Sequence, residues 1–294
     1  MANRDGDYTQ SVLLTGATGF IGKHLAGRLT EEGYTVRPFS RSHGQDILNK
    51  DSFQPFLREP VHAVIHLAGK TYVPDSWSKP NVFYAINTLG TQHALDFCHA
   101  SGARMIYVSA YVYGVPSYLP IDESHPVAPN SPYSHSKWMG EELCRFYSHY
   151  KGVEALVLRP FNLFGPGQED RFLIPTILRQ ARLRERIVIR DDTPKRDYLH
   201  VSDFVDACIL SLGHRERFRV FNVGSGSSTS VREVIELVGK YSPEEILYTS
   251  LGDTRPNEIM NTVADCTAIR RELDWTPKLS LGNFIKEELQ CISR

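Results

Sequence analysis

The chain has 294 residues, enough for one large or two modest domains with a sizeable core and too long for a disulfide-stapled miniprotein. With 21 Gly and 17 Pro it is neither collagen-like nor low-complexity. The 33 basic residues nearly balance the 34 acidic ones, leaving a formal charge of -1 and no global field to hold a polyanion, so nucleic acid is not an expected partner. Five cysteines (Cys98, Cys144, Cys208, Cys266, Cys291) lie far apart with no C-x-x-C pair, which suits reduced thiols. Met1 to Gln10 is polar and acidic, unlike a secretory signal, and no run approaches the ~18 to 20 apolar residues of a membrane span. A cytoplasmic protein with no membrane association is expected.

In chain order, Ser11 to Thr15 predicts a strand, and Gly19 to Glu32 a helix, with Ile21, Leu25 and Leu29 on one face and Gly33 as its stop. Thr35 to Phe39 follows as a second strand, a short helix near Asp51 to Leu57, then Val61 to Leu67, whose apolar run fits a strand buried on both faces. Helices near Val82 to Ala100 and Tyr133 to Tyr150 flank a strand at Met105 to Ser109, and Ala155 to Arg159 closes this half. Strands alternating with helices imply a parallel sheet covered on both faces. After Pro160 the rhythm loosens: a helix from Ile174 to Leu183, a strand at Ile187 to Arg190, a helix from Asp203 to Leu212, a strand at Val220 to Val223 and a helix from Val231 to Tyr241, with Thr229 or Ser230 as its N-cap. This predicts a second, smaller lobe. Trp77, after Asp75 and Ser76, is expected in a loop.

Two constellations carry chemistry. Gly16-Ala-Thr18-Gly19-Phe20-Ile21-Gly22 stands between the first strand and the first helix, where glycines let the chain turn tightly against a pyrophosphate resting on the helix N-terminus. The second strand ends Phe39-Ser40-Arg41 with no carboxylate until Asp46. A carboxylate there would hold an NAD ribose hydroxyl and an Arg accommodates a 2′-phosphate, so NADP(H) is favoured over NAD(H), with Asp46 and Ile47 flanking the adenine. The other constellation is Ser109 followed by Tyr133-x-x-x-Lys137, whose spacing of four puts both side chains on one helix face. An ammonium beside a phenol is expected to lower the phenol's pKa from about 10 and so make a general acid/base. His24, His93 and His99 show no metal-ligand spacing, and no metal is expected.

Thr15-Gly-Ala-Thr-Gly-Phe-Ile-Gly22, His66-Leu-Ala-Gly69, Val108-Ser-Ala-Tyr-Val-Tyr-Gly114, Ser131-Pro-Tyr-Ser-His-Ser-Lys137, Arg159-Pro-Phe-Asn-Leu-Phe-Gly-Pro-Gly167 and Arg196-Asp-Tyr-Leu-His-Val201 together resemble the extended short-chain dehydrogenase/reductases that modify nucleotide sugars. The resemblance implies a Rossmann doubly wound parallel sheet (1–161 and 197–224) and a smaller, discontinuous substrate lobe (162–196 and 225–294). It implies Tyr133 as acid/base, Lys137 on the nicotinamide ribose and Ser109 on the reacting oxygen. By the same resemblance Leu67, Ala68 and Gly69 line the cofactor, while Ala110, Tyr111, Asn162 and Arg196 meet the sugar diphosphate. Thr254-Arg255-Pro-Asn-Glu258 resembles the pattern of members that use GDP-sugars, with Arg255 toward the phosphates and Glu258 toward the ribose. The helices spanning Phe83 to Phe97 and Tyr133 to Tyr147 resemble those that form a homodimer interface.

Members that dehydrate the sugar place acidic residues directly after the catalytic Ser or Thr, where this chain has Ala110 and Tyr111, so a 4,6-dehydratase is disfavoured. The expected activity is NAD(P)-dependent oxidoreduction at C4 of a nucleotide-diphosphate sugar, foremost reduction of an NDP-4-keto-6-deoxyhexose, with GDP favoured. The alternatives are a 4-epimerase that keeps its NAD and, more distantly, a non-catalytic NAD(P)-sensing protein.

Overall fold

The computed structural model describes residues 10–254 and 258–290. Strand β1 (Ser11–Thr15) leads into α1 (Phe20–Glu31), β2 (Thr35–Phe39), two 3-10 segments (Arg41–His43 and Lys50–Arg58) and β3 (Ala63–His66). Next come α2 (Val73–Ser78), α3 (Pro80–Tyr84), a π turn (Ala85–Leu89), α4 (Gly90–Ser101), β4 (Arg104–Val108), α5 (Pro132–Lys151) and β5 (Ala155–Pro160). The remainder is β6 (Asn162–Phe164), α6 (Leu173–Arg182), β7 (Ile187–Ile189), β8 (Lys195–Arg196), β9 (Tyr198–His200), α7 (Val201–Ser211), β10 (Phe218–Val223), β11 (Thr229–Ser230), α8 (Val231–Tyr241), β12 (Tyr248–Ser250), α9 (Thr267–Leu273) and α10 (Leu281–Gln290).

Six strands make one sheet in the order β10-β5-β4-β3-β1-β2, and the pairs β1 with β2, β1 with β3 and β3 with β4 are parallel. Every residue of β1, β3 and β4 is buried, as the continuous apolar runs require of strands covered on both faces. β2 is the edge, which explains how it tolerates Pro38, a residue with no N–H to give a further neighbour. The order reverses between β1 and β3, so the loops leaving their carboxyl ends flank a topological switch point, the place where α/β sheets of this Rossmann type bind ligands.

The helices follow their local signals. α5 starts at a capping box in which Ser131 accepts from the Ser134 N–H at 3.2 Å, has Pro132 at its first position, and stops at Gly152 with φ +73°. Ser230 caps α8, with the Glu233 carboxylate returning a bond to the Ser230 N–H at 2.6 Å. The expected single helix from Val82 to Ala100 is instead α3, the π turn and α4 in succession, because one extra residue is accommodated around Asn87. Trp77 lies not in a loop but on α2, where Pro74 at the first turn permits helix entry, and its ring is exposed.

The chain forms two compact units. One comprises the chain up to Ser109 with Ser131–Val157 and Ser211–Arg219; the other comprises Ala110–Asn130, Leu158–Leu210 and Val220 onward. The second unit has its own core, in which Ile177 of α6, Val234 and Val238 of α8 and Ile285 of α10 pack with Phe164 and Ile187. Short two-stranded sheets, β6 with β9, β7 with β12 and β8 with β11, frame that core. Elsewhere in this unit Trp275 is buried and donates its indole N–H to the Asp203 carbonyl at 2.8 Å. Cys98, Cys144, Cys208 and Cys266 are buried free thiols, and Cys291 lies outside the described residues. Among the described residues no helix is long and apolar enough to cross a membrane.

Candidate active site

The glycine turn between β1 and α1 is built by close backbone approach. Gly16 has φ +71°, and a Cβ on it would lie 2.8 Å from the Ala68 nitrogen; a Cβ on Gly22 would lie 2.2 Å from the Gly16 carbonyl oxygen. Only hydrogen fits at either position. Gly16 N–H donates to the Phe39 carbonyl at 2.9 Å and Gly19 N–H to that of Gly16 at 3.0 Å, which closes the turn. α1 begins with no side-chain cap and no acidic residue in its first turn, so the amides of Phe20, Ile21 and Gly22 are presented as a ready anion site beside Thr18. The cradle fits a dinucleotide pyrophosphate.

At the end of β2, Ser40 is buried and its Oγ lies 2.8 Å from Ser42 Oγ and 2.7 Å from His43 Nδ1. Arg37 is committed elsewhere, to Ser11 Oγ at 2.7 Å and to Glu59. Arg41 is exposed and forms no ion pair among the described residues, and no carboxylate occupies the strand end. Asp46 is exposed and caps the Leu48 N–H at 2.9 Å. Ile47 is buried under Gly90, whose Cβ, if present, would lie 2.8 Å from Ile47 Cγ1.

Beyond β3, Leu67, Ala68 and Gly69 are tied down by a polar chain that patterning did not reveal. Ala68 N–H donates to Thr15 Oγ1 at 3.2 Å, Thr15 Oγ1 lies 2.7 Å from His66 Nδ1, His66 Nε2 lies 3.1 Å from Thr91 Oγ1, and Thr91 donates to the Asn87 carbonyl at 2.6 Å. Thr91 has spent its proton, so His66 is the donor at Nε2 and accepts at Nδ1. Complete burial, assisted by the nearby Lys137 charge, pushes His66 down to about 3 and keeps it neutral. Asn87, also fully buried, accepts from Lys70 N–H at 2.8 Å and donates to Lys70 O and to Ser136 Oγ on α5. A single amide therefore holds the cofactor-side loop against the helix that carries Tyr133 and Lys137.

Tyr133 and Lys137 share one face of α5, as their spacing requires. Lys137 is buried, its Nζ 4.4 Å from the Tyr107 ring centroid, and desolvation pulls its ammonium down to about 8, against the opposing effects of Cys144 and Glu141. Tyr133, edge-on to Phe83 at 6.3 Å, departs from expectation: its phenol is pushed up, not down. Lost hydration of the phenolate outweighs the ammonium one turn away. Ser109, at the end of β4, is buried and donates its hydroxyl to the Glu141 carboxylate, a short contact within the same unit.

The second unit carries the expected substrate residues. Ala110 is buried, and Tyr111 donates to the Gly114 carbonyl at 2.7 Å with its ring edge-on to Tyr113 and Phe161. Asn162 pairs in register with Tyr198 and its N–H donates to the Asp197 carbonyl at 3.0 Å. Arg196 is engaged by Glu258 through an ion pair and by the Lys195 and Ile259 carbonyls. Two residues expected to meet the ligand thus meet each other. Asp197, unremarked in the sequence, gathers the N–H groups of Ser225, Gly226 and Ala264 at 2.6 to 3.0 Å and fixes the backbone next to Arg196. Arg255 lies outside the described residues.

A switch-point glycine cradle and a Ser, Tyr and Lys set within one unit define a dinucleotide-dependent oxidoreductase. The model of the NAD dependent epimerase/dehydratase family matches residues 12–224, and the chain belongs to that family. It is 38% identical to the GDP-6-deoxy-D-mannose reductase of Pseudomonas aeruginosa, over 97% of this chain and 96% of the relative. It is 33% identical to the UDP-glucose 4-epimerase of Azospirillum brasilense, over 91% of this chain and 87% of that one. A solved structure of the Pseudomonas aeruginosa protein RMD complexed with NADPH superposes with a TM-score of 0.88 at 33% identity, covering 96% and 98% of the two chains. The protein is an NAD(P)-dependent nucleotide-sugar enzyme.

Proposed function

We propose that this enzyme reduces the 4-keto group of a GDP-linked 4-keto-6-deoxyhexose, using NADPH. The observation that carries the reading is the 38% identity, over 97% of this chain, to a GDP-6-deoxy-D-mannose reductase; Tyr133, whose phenol burial raises, is the group assigned to give a proton to the ketone oxygen. Bound NADPH supplies the hydride to C4. Tyr133 gives its proton to the C4 oxygen as the carbonyl becomes a hydroxyl, and the Lys137 ammonium stabilises the phenolate left behind until solvent reprotonates it. Ser109 lies at the oxygen, with Ala110 and Tyr111 beside the sugar.

The 2′-phosphate of NADPH suits Arg41, a cation with no competing ion pair among the described residues, at a strand end lacking a carboxylate. The cradle of Gly16, Gly19 and Gly22 and the loop Leu67 to Gly69 take the rest of the cofactor, with Ser40, Asp46 and Ile47 at the adenine end. Asn162, Arg196, Arg255 and Glu258 take the GDP moiety. The exposed apolar side chains Leu89, Met139, Phe146 and Tyr150, around α4 and α5, support a homodimer. The decisive experiment incubates the protein with enzymatically prepared GDP-4-keto-6-deoxymannose and NADPH. The expected result is stoichiometric loss of absorbance at 340 nm with formation of a GDP-6-deoxyhexose, and weaker use of NADH. Interconversion of UDP-glucose and UDP-galactose with retained NAD would replace this reading with the epimerase one.

The Arg196 to Glu258 pair makes a second expectation. A diphosphate reaching Arg196 competes with the Glu258 carboxylate for the guanidinium. A charge-assisted hydrogen bond is worth roughly 1.5–3 kcal/mol, about tenfold or more in affinity. Glu258→Gln is therefore expected to bind inorganic pyrophosphate more tightly than the wild type and GDP more weakly, because the ribose hydroxyls lose their acceptor. Calorimetric titration with both ligands checks the opposite signs; a parallel change in the two would remove Glu258 from the ribose.

A further inference from the structure

Tyr198, on β9, is 8% exposed, and its Oη has no hydrogen-bond partner among the described residues. Buried hydroxyls are paired almost without exception in folded proteins, because a donor left unpaired and out of water destabilises the fold. The other phenols of this part of the chain are engaged: Tyr111 donates to the Gly114 carbonyl at 2.7 Å and Tyr113 to Asn222 Oδ1 at 2.6 Å. The strands set where Tyr198 stands. It pairs in parallel register with Asn162, so the two side chains lie on one side of β6 and β9. Arg196 comes two residues earlier on the same extended segment, which puts it on that side as well. Asp197, between them, is turned to the N–H groups of Ser225, Gly226 and Ala264. Burial pushes the Tyr198 phenol up to about 12, against the opposing effect of the Arg196 charge, so the hydroxyl keeps its proton at neutral pH.

We infer that the Tyr198 hydroxyl donates a hydrogen bond to the diphosphate of the bound nucleotide sugar, beside Arg196 and Asn162, and that its unpaired state is the form held ready for that ligand. The inference rests on the reading in which Asn162 and Arg196 take the GDP moiety. The chemistry of the three side chains selects the partner. A guanidinium, a carboxamide and a protonated phenol on one side of the strands together offer N–H and O–H donors, and a diphosphate offers charged oxygens that accept from several donors at once. The guanidinium is engaged by Glu258, with which a diphosphate competes. As Arg196 turns to the ligand, the phenol is the next donor on the same side.

The test is Tyr198→Phe, which deletes the hydroxyl and keeps the ring in place against Phe164, Ile174 and the rest of that apolar core. Tm is expected to hold or rise, because the variant loses a buried hydroxyl that bonds to nothing in the fold. Ligand binding is expected to move the other way. In protein saturated with NADPH, so that the glycine cradle is filled, affinity for inorganic pyrophosphate falls about tenfold, the worth of one hydrogen bond to a charged group. Affinity for GDP falls by the same factor, while guanosine, which has no phosphate, binds the variant and the wild type alike. Thermal unfolding and calorimetric titration with the three ligands read these outcomes. A fall in Tm would mean that the phenol has a partner inside the fold, and an unchanged pyrophosphate affinity would mean that the diphosphate does not reach it. Either result overturns the inference, as does an NADPH-loaded wild type that binds no pyrophosphate. Preference of the wild type for UDP over GDP overturns the proposed base instead, and the pyrophosphate titration still decides the role of Tyr198.

Discussion

Tyr133→Phe is expected to lower kcat by about 10²- to 10⁴-fold, the usual worth of a positioned general acid, while leaving NADPH affinity nearly unchanged. The substitution removes one oxygen from a ring held edge-on to Phe83 and leaves the packing of α5 intact. Its phenol is no part of the glycine cradle, so cofactor binding has no reason to change. Single-turnover reduction followed at 340 nm, beside an NADPH titration, separates the two quantities. Turnover close to that of the wild type would remove Tyr133 from the proton transfer. The pH dependence carries a matching sign. Lys137 is held near 8 by desolvation, so its stabilisation of the phenolate is present below that pH and is lost as pH rises through it.

Gly22→Ala is expected to act at the other end of the chemistry, on the cofactor and not on the proton. The added methyl carbon would lie 2.2 Å from the Gly16 carbonyl oxygen and 2.8 Å from the Ala17 Cα, both backbone, so relief requires α1 to part from the turn. Overpacking of this kind costs about 1–3 kcal/mol of stability. The same displacement withdraws the α1 amides from the pyrophosphate, so NADPH affinity is expected to fall more than about tenfold, the worth of one charge-assisted bond or more. Thermal unfolding and NADPH titration check the two parts, and kcat at saturating cofactor is expected to stay near the wild-type value. Wild-type affinity in the variant would mean that the turn does not cradle the phosphates.

Several features were legible in the sequence because they are local. The runs Ser11–Thr15 and Ala63–His66 are apolar on both faces, which is a sufficient condition for a central parallel strand. The turn at Gly16 to Gly22 carries its own backbone requirement, and a four-residue spacing guarantees a shared helix face for Tyr133 and Lys137 once α5 forms. Short elements such as β8 and β11 were not legible, since two-residue strands have no period and exist only where a partner segment pairs with them.

The sequence by itself determined the parallel-sheet class, the tight glycine turn between β1 and α1 and the shared helix face of Tyr133 and Lys137, because each depends on residues close together in the chain. Only the tertiary structure decided what surrounds them. It assigned the Ser109 proton to Glu141, made His66 a neutral link between Ala68 and α4, and paired Arg196 with Glu258. It also raised the Tyr133 phenol where an adjacent lysine alone would have lowered it. The physical reason is common to all four: hydrogen-bond direction and desolvation are set by whatever packs against a group from distant parts of the chain, and spacing along one helix carries no record of that.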